Sequence, residues 1–204
     1  METRQLLIVF IKNPVLGKVK TRLASSIGEV EALTVYNKLL DHTLNISKPL
    51  SVDKVVYYSE FIPGNDLWSA SGFSQELQQG DDLGERMMNA FIKAFQQRYE
   101  RVAIIGSDCL DLTTNILTDA YDELNKRDVV VGPALDGGYY LLGMRSLHRE
   151  LFLNKTWSTD TVLNDTLENI RELTFSFSLL PLLRDIDNEQ DLKESSLLIQ
   201  KSGL

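Results

Sequence analysis

Short uninterrupted apolar runs alternate with segments of helical period along this chain, and that alternation restricts its fold more than any other feature. Leu6-Leu7-Ile8-Val9-Phe10-Ile11 has no polar break, the pattern of a central strand covered on both faces. Val52 to Tyr58, Phe73 to Leu77, Val102 to Ile105, Val129 to Val131, Tyr139 to Leu142 and Phe175 to Leu179 read as further strands. Between them the period changes. Leu33, Tyr36, Leu39, Leu40, Thr43 and Leu44 fall on one helical face, and that helix should stop near Lys48-Pro49 because proline disfavours a helical predecessor. Leu83 to Phe95, Leu117 to Leu124 and Leu163 to Ile170 carry similar stripes, and a last helix starts near Asn188. Pro63-Gly64-Asn65-Asp66 reads as a turn cluster. Strand and helix alternating throughout, with no composition break, predict one three-layer α/β domain over residues 1–204, Rossmann-like, with a mixed but mostly parallel sheet. Ligands of such a sheet bind on the loops past the carboxyl ends of its strands.

Charge narrows the ligand. Lys and Arg number 21 against 29 Asp and Glu, a formal charge of −8, which argues against nucleic-acid or anionic-membrane partners. No apolar run approaches the roughly 18 to 20 residues a spanning helix needs, and Leu6–Ile11 is too short for a signal-peptide core, so a cytosolic location is expected. One cysteine, Cys109, and two histidines, His42 and His148, make neither a disulfide nor a zinc site, and any metal must be held by oxygen. Yet Lys12 to Arg22, leaving the first strand, holds four cations and no anion. A positive cup in an acidic protein suits a small, highly charged anion such as a triphosphate. Gly17 allows close backbone approach, Lys18 and Lys20 act as point charges, Arg22 forks onto phosphate oxygens, and Thr21 is placed to open a short helix. Neither the P-loop pattern nor the dinucleotide G-x-G-x-x-G is present. A solvated basic loop is the plainer alternative.

Asp108, on the loop Gly106-Ser107-Asp108-Cys109-Leu110-Asp111, sits where a carboxylate reaches a Mg²⁺ or Mn²⁺ ion carried by phosphates, which needs one or two protein oxygens. A second oxygen is available from Asp185 or Asp187, although Asp187 could simply cap the last helix, as Asp111 could cap the helix beginning near Thr113. Cys109 reads as an inert, packed thiol. Asp82, in Gln79 to Met87, is either a helix cap or part of a flat glycine-rich seat for a base. Asp136-Gly137 signals a hairpin, with more glycine and tyrosine after it than a tight turn needs. Trp157-Ser158-Thr159 reads as an aromatic plug with a helix cap, or as the wall of an acceptor pocket.

In order along the chain, K-x-P-x-x-G-x-x-K-T-R-L (Lys12 to Leu23), Q-G-x-D-L-G-x-R-M (Gln79 to Met87), G-S-D-C (Gly106 to Cys109), G-P-A-x-D-G-G-Y-Y-L-L-G (Gly132 to Gly143), W-S-T and D-x-D (Asp185 to Asp187) resemble the GT-A, or nucleotide-diphospho-sugar transferase, superfamily. Within it the chain is most similar to bacterial glycosyltransferase-like proteins related to phospholactate guanylyltransferase. The resemblance covers residues 6 to about 193 and departs at Leu110 and at Asn188-Glu189, where the family pattern usually has proline and Thr-Pro. It implies that Lys12, Gly17, Lys20 and Arg22 take the phosphates, that Gln79 and Gly84 take the base with Ser107 also on the nucleotide, and that Asp108 and Asp187 hold Mg²⁺ or Mn²⁺. Asp136, Gly137, Gly138 and Tyr139 would face the acceptor, with Trp157 beside them. The expected chemistry is nucleotidyl transfer from a nucleoside triphosphate to a small, phosphorylated acceptor, with Lys20, Arg22 and Asp108 catalytic. Glycosyl transfer from a nucleotide sugar is the alternative, and a nucleotide-binding regulator without turnover is the third.

Overall fold

Leu7, Ile8 and Val9 are fully buried, and the strand that carries them, β1 (Gln5–Ile11), lies within the sheet with neighbours on both sides. The computed structural model describes residues 3–197, so the extreme ends of the expected 1–204 domain lie outside the described residues. β1 pairs in parallel with β2 (Asp53–Tyr58) on one side and with β4 (Arg101–Ile105) on the other. β3 (Ser74–Leu77) adds beyond β2. On the far side come β6 (Tyr139–Met144), β5 (Val129–Pro133) and β7 (Phe177–Leu179). Among the described residues these seven strands form one sheet in the order β3-β2-β1-β4-β6-β5-β7, with β6 antiparallel to both its neighbours.

The alternation of side chains along β1 explains its unbroken apolar run. Leu7, Val9 and Ile11 join one core with Tyr36, Leu40 and Leu44 of α2 (Glu29–Ser47) and Leu117, Ala120 and Tyr121 of α5 (Thr114–Glu123). Leu6, Ile8 and Phe10 join the opposite core with Met87, Ala90 and Phe91 of α4 (Leu83–Gln96) and Ile170 of α6 (Val162–Glu172). Both faces are therefore dry, and each fully buried aliphatic contributes about 2 kcal/mol. A third cluster ties α1 (Thr21–Ile27) to α2 and α7 (Glu189–Glu194) through Leu23, Val35, Leu39, Ile186 and Leu192. No helix among the described residues is long and apolar enough to cross a membrane.

Several local expectations change. The turn cluster at 63–66 leads into a short helix, α3 (Leu67–Ala70), because the Asp66 carboxylate accepts from Ser69 N at 2.9 Å and caps it. The last strand is shorter than Phe175 to Leu179: Phe175 N donates to Ile170 O at 3.0 Å, so that residue still closes the end of α6. Asp82 does cap α4, accepting from Glu85 N at 2.8 Å. Thr113, and not Asp111, caps α5.

Strand order matters most for function. From β1 the chain steps outward through β2 to β3, then returns to place β4 on the opposite side of β1. The direction of winding reverses between β1 and β4, so their carboxyl ends open a crevice where the loops diverge.

Candidate functional site

The loop after β1 is built to deliver one lysine into that crevice. Lys12 N donates to the Tyr36 hydroxyl at 2.8 Å, which also contacts Lys12 O at 3.1 Å and Ser107 Oγ at 3.3 Å, joining the ends of β1 and β4 through α2. Burial first, then the charge of Asp108, push the Tyr36 phenol well above its usual range, so it acts as a neutral hydroxyl. Asn13 is buried as well. Its Oδ1 accepts from Glu60 N at 2.9 Å and its Nδ2 donates to Phe61 O at 2.8 Å, which fixes the loop after β2 beside the first. Val19 then anchors in the core, and Lys20 follows with φ 48° and ψ 44°, a left-handed conformation that a residue with a Cβ adopts at a cost of about 1 kcal/mol. The next residue begins α1.

The Lys20 side chain is 4% exposed, and its ammonium lies 2.8 Å from Asp108 Oδ1 and 3.1 Å from Asp187 Oδ1. Burial alone would lower the Lys20 pKa, but the two carboxylates outweigh it and the net direction is upward, so the cation is permanent. Asp108 comes from the loop after β4 and Asp187 from the segment before α7. The two loops are joined by a backbone bond, Ile186 N to Asp108 O at 2.9 Å. Asp187 is not the helix cap. Asn188 is, accepting from Gln190 N and Asp191 N, while Asp191 accepts from the backbone of residues 187 and 188. That leaves the Asp187 carboxylate facing Lys20 and, at 3.7 Å, the exposed Arg22. Asp185 lies deeper. Burial, then Asp108 and Asp136, push its carboxyl up to about 7 against the opposing pull of Lys20. Cys109 is buried, and burial followed by the Asp185 charge pushes its thiol up to about 12, a packed and unreactive group.

The other expected residues distribute unevenly. Lys12, Lys18 and Arg22 are exposed on the first loop. Gly17 has φ +73°, and a Cβ there would come within 3.2 Å of the Glu29 carboxylate, so the loop that lacks an anion in sequence has one folded against it. Ser107 is 4% exposed and turned onto Tyr36, so its side chain supports the crevice from beneath instead of lining it. Gln79 is exposed, its carbonyl accepting from Asn89 at 2.9 Å. The neighbouring Gln78, which the motif reading passed over, donates to Ile11 O and Tyr57 O, each at 3.0 Å, at the ends of β1 and β2.

Gly84 packs against an aromatic ring. A Cβ on it would lie 2.0 Å from the Trp157 ring, so the side that the glycine leaves open is filled by an indole. Trp157 in turn stacks on Phe152 with centroids 6.4 Å apart, which makes it the aromatic plug, and α6 begins past Thr161 with no side-chain cap, so the Ser158/Thr159 cap does not form. Gly137, at φ +88°, presses against the Asp160 carbonyl, and its own carbonyl accepts from Leu163 N at 2.9 Å. Asp136 is exposed and accepts from Gly138 N at 2.9 Å, closing the turn of the β5–β6 hairpin. The Tyr139 hydroxyl is enclosed in the α4/α6 core without a partner and does not reach the crevice surface. It is Tyr140 that serves the site, donating to Pro181 O at 2.9 Å and so fixing the segment that carries Asp185 and Asp187.

Among the described residues no three His, Cys, Asp or Glu side chains converge tightly enough to hold an ion unaided. Two carboxylates do converge. Asp108 and Asp187 share one side of the crevice, their side chains 44% and 43% exposed, and hard oxygen donors in that number fit Mg²⁺ or Mn²⁺ when phosphate oxygens and water complete the shell.

Residues 43–159, more than half of the chain, match the family described as "Uncharacterized protein conserved in bacteria" (DUF2064). No curated protein matches. Among solved structures, the chain is similar to a "putative nucleotide-diphospho-sugar transferase" from Desulfovibrio desulfuricans G20, at 33% identity and TM-score 0.85, over 94% of this chain and 85% of that one. It is also similar to the inositol-1-phosphate CTP transferase from T. maritima at 14% identity and TM-score 0.57, over 93% and 92% of the two chains. A 4-diphosphocytidyl-2C-methyl-D-erythritol synthase matches at 11% identity and TM-score 0.56, over 95% and 97%. The last two show a shared fold, the mixed sheet of the nucleotide-diphospho-sugar transferases.

Proposed function

The chain belongs to the DUF2064 family, and on that footing we propose that it is a nucleotidyltransferase, moving a nucleoside monophosphate from a nucleoside triphosphate to a small phosphorylated acceptor. One observation carries this reading: a buried ammonium, Lys20, held between Asp108 and Asp187 at the point where the sheet changes its direction of winding. The triphosphate would lie along the first loop, with Lys12, Lys18 and Arg22 on its oxygens and Lys20 beneath. An acceptor oxygen attacks the α-phosphorus while the bond to pyrophosphate breaks. Such a transfer asks the protein for alignment and charge compensation, not for a covalent intermediate. Asp108 and Asp187 would hold Mg²⁺ or Mn²⁺, which supplies charge cancellation on the phosphates when bound. Lys20 orients the chain of phosphates from a fixed backbone, and Tyr36 and Ser107 keep the two loops at a constant separation.

Glycosyl transfer from a nucleotide sugar is the second reading, favoured by the description of the 33%-identical Desulfovibrio protein. The exposed cations of the first loop favour the first, because a sugar donor would set a neutral ring where a triphosphate needs charge. Purified protein with Mg²⁺, each nucleoside triphosphate and a set of phosphorylated acceptors should release pyrophosphate. Silence there, with hydrolysis of a nucleotide sugar, moves the assignment to glycosyl transfer.

A further inference from the structure

Lys20 and a divalent ion ask for the same two oxygens. The ammonium contacts Oδ1 of Asp108 at 2.8 Å and Oδ1 of Asp187 at 3.1 Å, and the lysine is buried with its backbone fixed at the start of α1. A divalent cation reaching those oxygens would stand within a few ångströms of a permanent positive charge, in a place where solvent screens poorly. Each oxygen therefore serves one cation or the other. We propose that Lys20 is a built-in occupant of the cation site, and that polyphosphate and divalent ion enter together, the polyphosphate drawing the ammonium off Asp108 and Asp187 as the ion takes the oxygens it leaves. The inference rests on the nucleotidyl-transfer reading for the identity of the polyphosphate.

The surroundings support the exchange. Lys20 has a flexible four-carbon stem, and the exposed Lys12, Lys18 and Arg22 mark where the new anionic partner would land, on the open side of the same loop. The acidic side of the crevice is in surplus. Two carboxylates, Asp108 and Asp187, share the one buried ammonium. Removing the buried ammonium leaves those carboxylates with only the exposed Arg22, 3.7 Å from Asp187, as a counter-charge, which sets the sign of the test: an ion should bind more tightly.

Mn²⁺ alone, followed by the electron-spin signal of the free ion, is the probe. Lys20→Met should bind Mn²⁺ at least about tenfold more tightly than the wild type, and the gain should vanish in Lys20→Met/Asp108→Asn. Inorganic tripolyphosphate should tighten Mn²⁺ binding to the wild type beyond what Mn²⁺–tripolyphosphate complexation explains, and should add nothing of the kind in Lys20→Met. Equal Mn²⁺ affinity in the wild type and Lys20→Met, or a gain that survives the double substitution, overturns the proposal. Should tripolyphosphate fail to bind the wild type under any condition, the polyphosphate reading of the loop falls with the coupling, while tighter Mn²⁺ binding by Lys20→Met would still assign Lys20 to the cation site. If Lys20→Met does not fold, the wild type answers alone: saturating Mn²⁺ should speed acylation of the Lys20 amine several-fold relative to Lys12 and Lys18, and an unchanged rate overturns the exchange.

Discussion

Two regions near the carboxyl edge of the sheet are rich in the motifs of this chain, and they use them in opposite ways. In the β1/β4 crevice, charged side chains from three distant segments meet across a gap and retain exposed oxygens and cations. At the junction of the α4 start, the β5–β6 turn and the segment before α6, glycine has been used to close the gap: Gly84 against Trp157, Gly137 against the Asp160 carbonyl. One region is held together by ion pairs that keep exposed oxygens, the other by close contacts of backbone and ring. Glycine permits close approach, and the sequence does not record what approaches.

The contrast can be broken by substitution. In the crevice Asp108→Asn should lower pyrophosphate release by about 10²–10³-fold, about 3–4 kcal/mol at the transition state, and shift the melting temperature by no more than about 4 °C. A large fall in melting temperature instead would group Asp108 with the packed junction. At the junction, Gly84→Ala and Gly137→Ala should each cost about 3 kcal/mol, a drop of roughly 6–12 °C, because the added methyl overlaps an indole in one case and a backbone carbonyl in the other. Trp157 emission should shift to the red in Gly84→Ala. If Gly84→Ala melts normally and loses only nucleotide affinity, the face of Gly84 belongs to the ligand after all.

A smaller effect separates the regions by pH. The Asp185 carboxyl ionises at about 7 in the folded chain against an ordinary 3.8, so folding favours its neutral form. The unfolded chain releases that proton first, and wild-type stability should fall as pH rises from about 4 to about 7. Asp185→Asn should remove that slope and stabilise the protein above pH 7 by about 1–2 kcal/mol, after allowance for partial solvent access. Denaturant midpoints measured across this range in both proteins test it, and parallel curves would place Asp185 outside the buried acidic side. Smallest of all, Arg22→Ala should change stability by less than about 0.5 kcal/mol, since Arg22 is 79% exposed and 3.7 Å from Asp187, yet weaken tripolyphosphate binding measurably by calorimetry.

The crevice was more legible than the junction for a physical reason. Lys20 and Asp108 each lie on the loop that follows an apolar run of strand length, so the topology of an alternating chain puts both at the same edge. Asp187 was harder, because a carboxylate just before a helix is as good a cap as a ligand until the helix start is known. The start falls one residue late, at Glu189, and Asn188 takes the cap. Gly84, Gly137 and Trp157 carried the right residue types for flat ligand contact, but their partners come from segments far apart in the chain. Asn13, Tyr36 and Gln78 went unread because each serves a backbone group at the end of another strand. Only Tyr36 left a trace, one of two hydroxyl-bearing residues, with Thr43, in the stripe of α2.

The sequence separation of 167 between Lys20 and Asp187 also orders events in time. At a synthesis rate of about 5–20 residues per second, the lysine leaves the ribosome roughly ten to thirty seconds before its second carboxylate does. Through that interval the ammonium can have at most Asp108 of its two carboxylate partners, and the hydrogen bond from Ile186 N to Asp108 O joins the second segment to the first. On the proposed reading, a newly made chain would not take up polyphosphate and metal together until the segment carrying Asp187 docks.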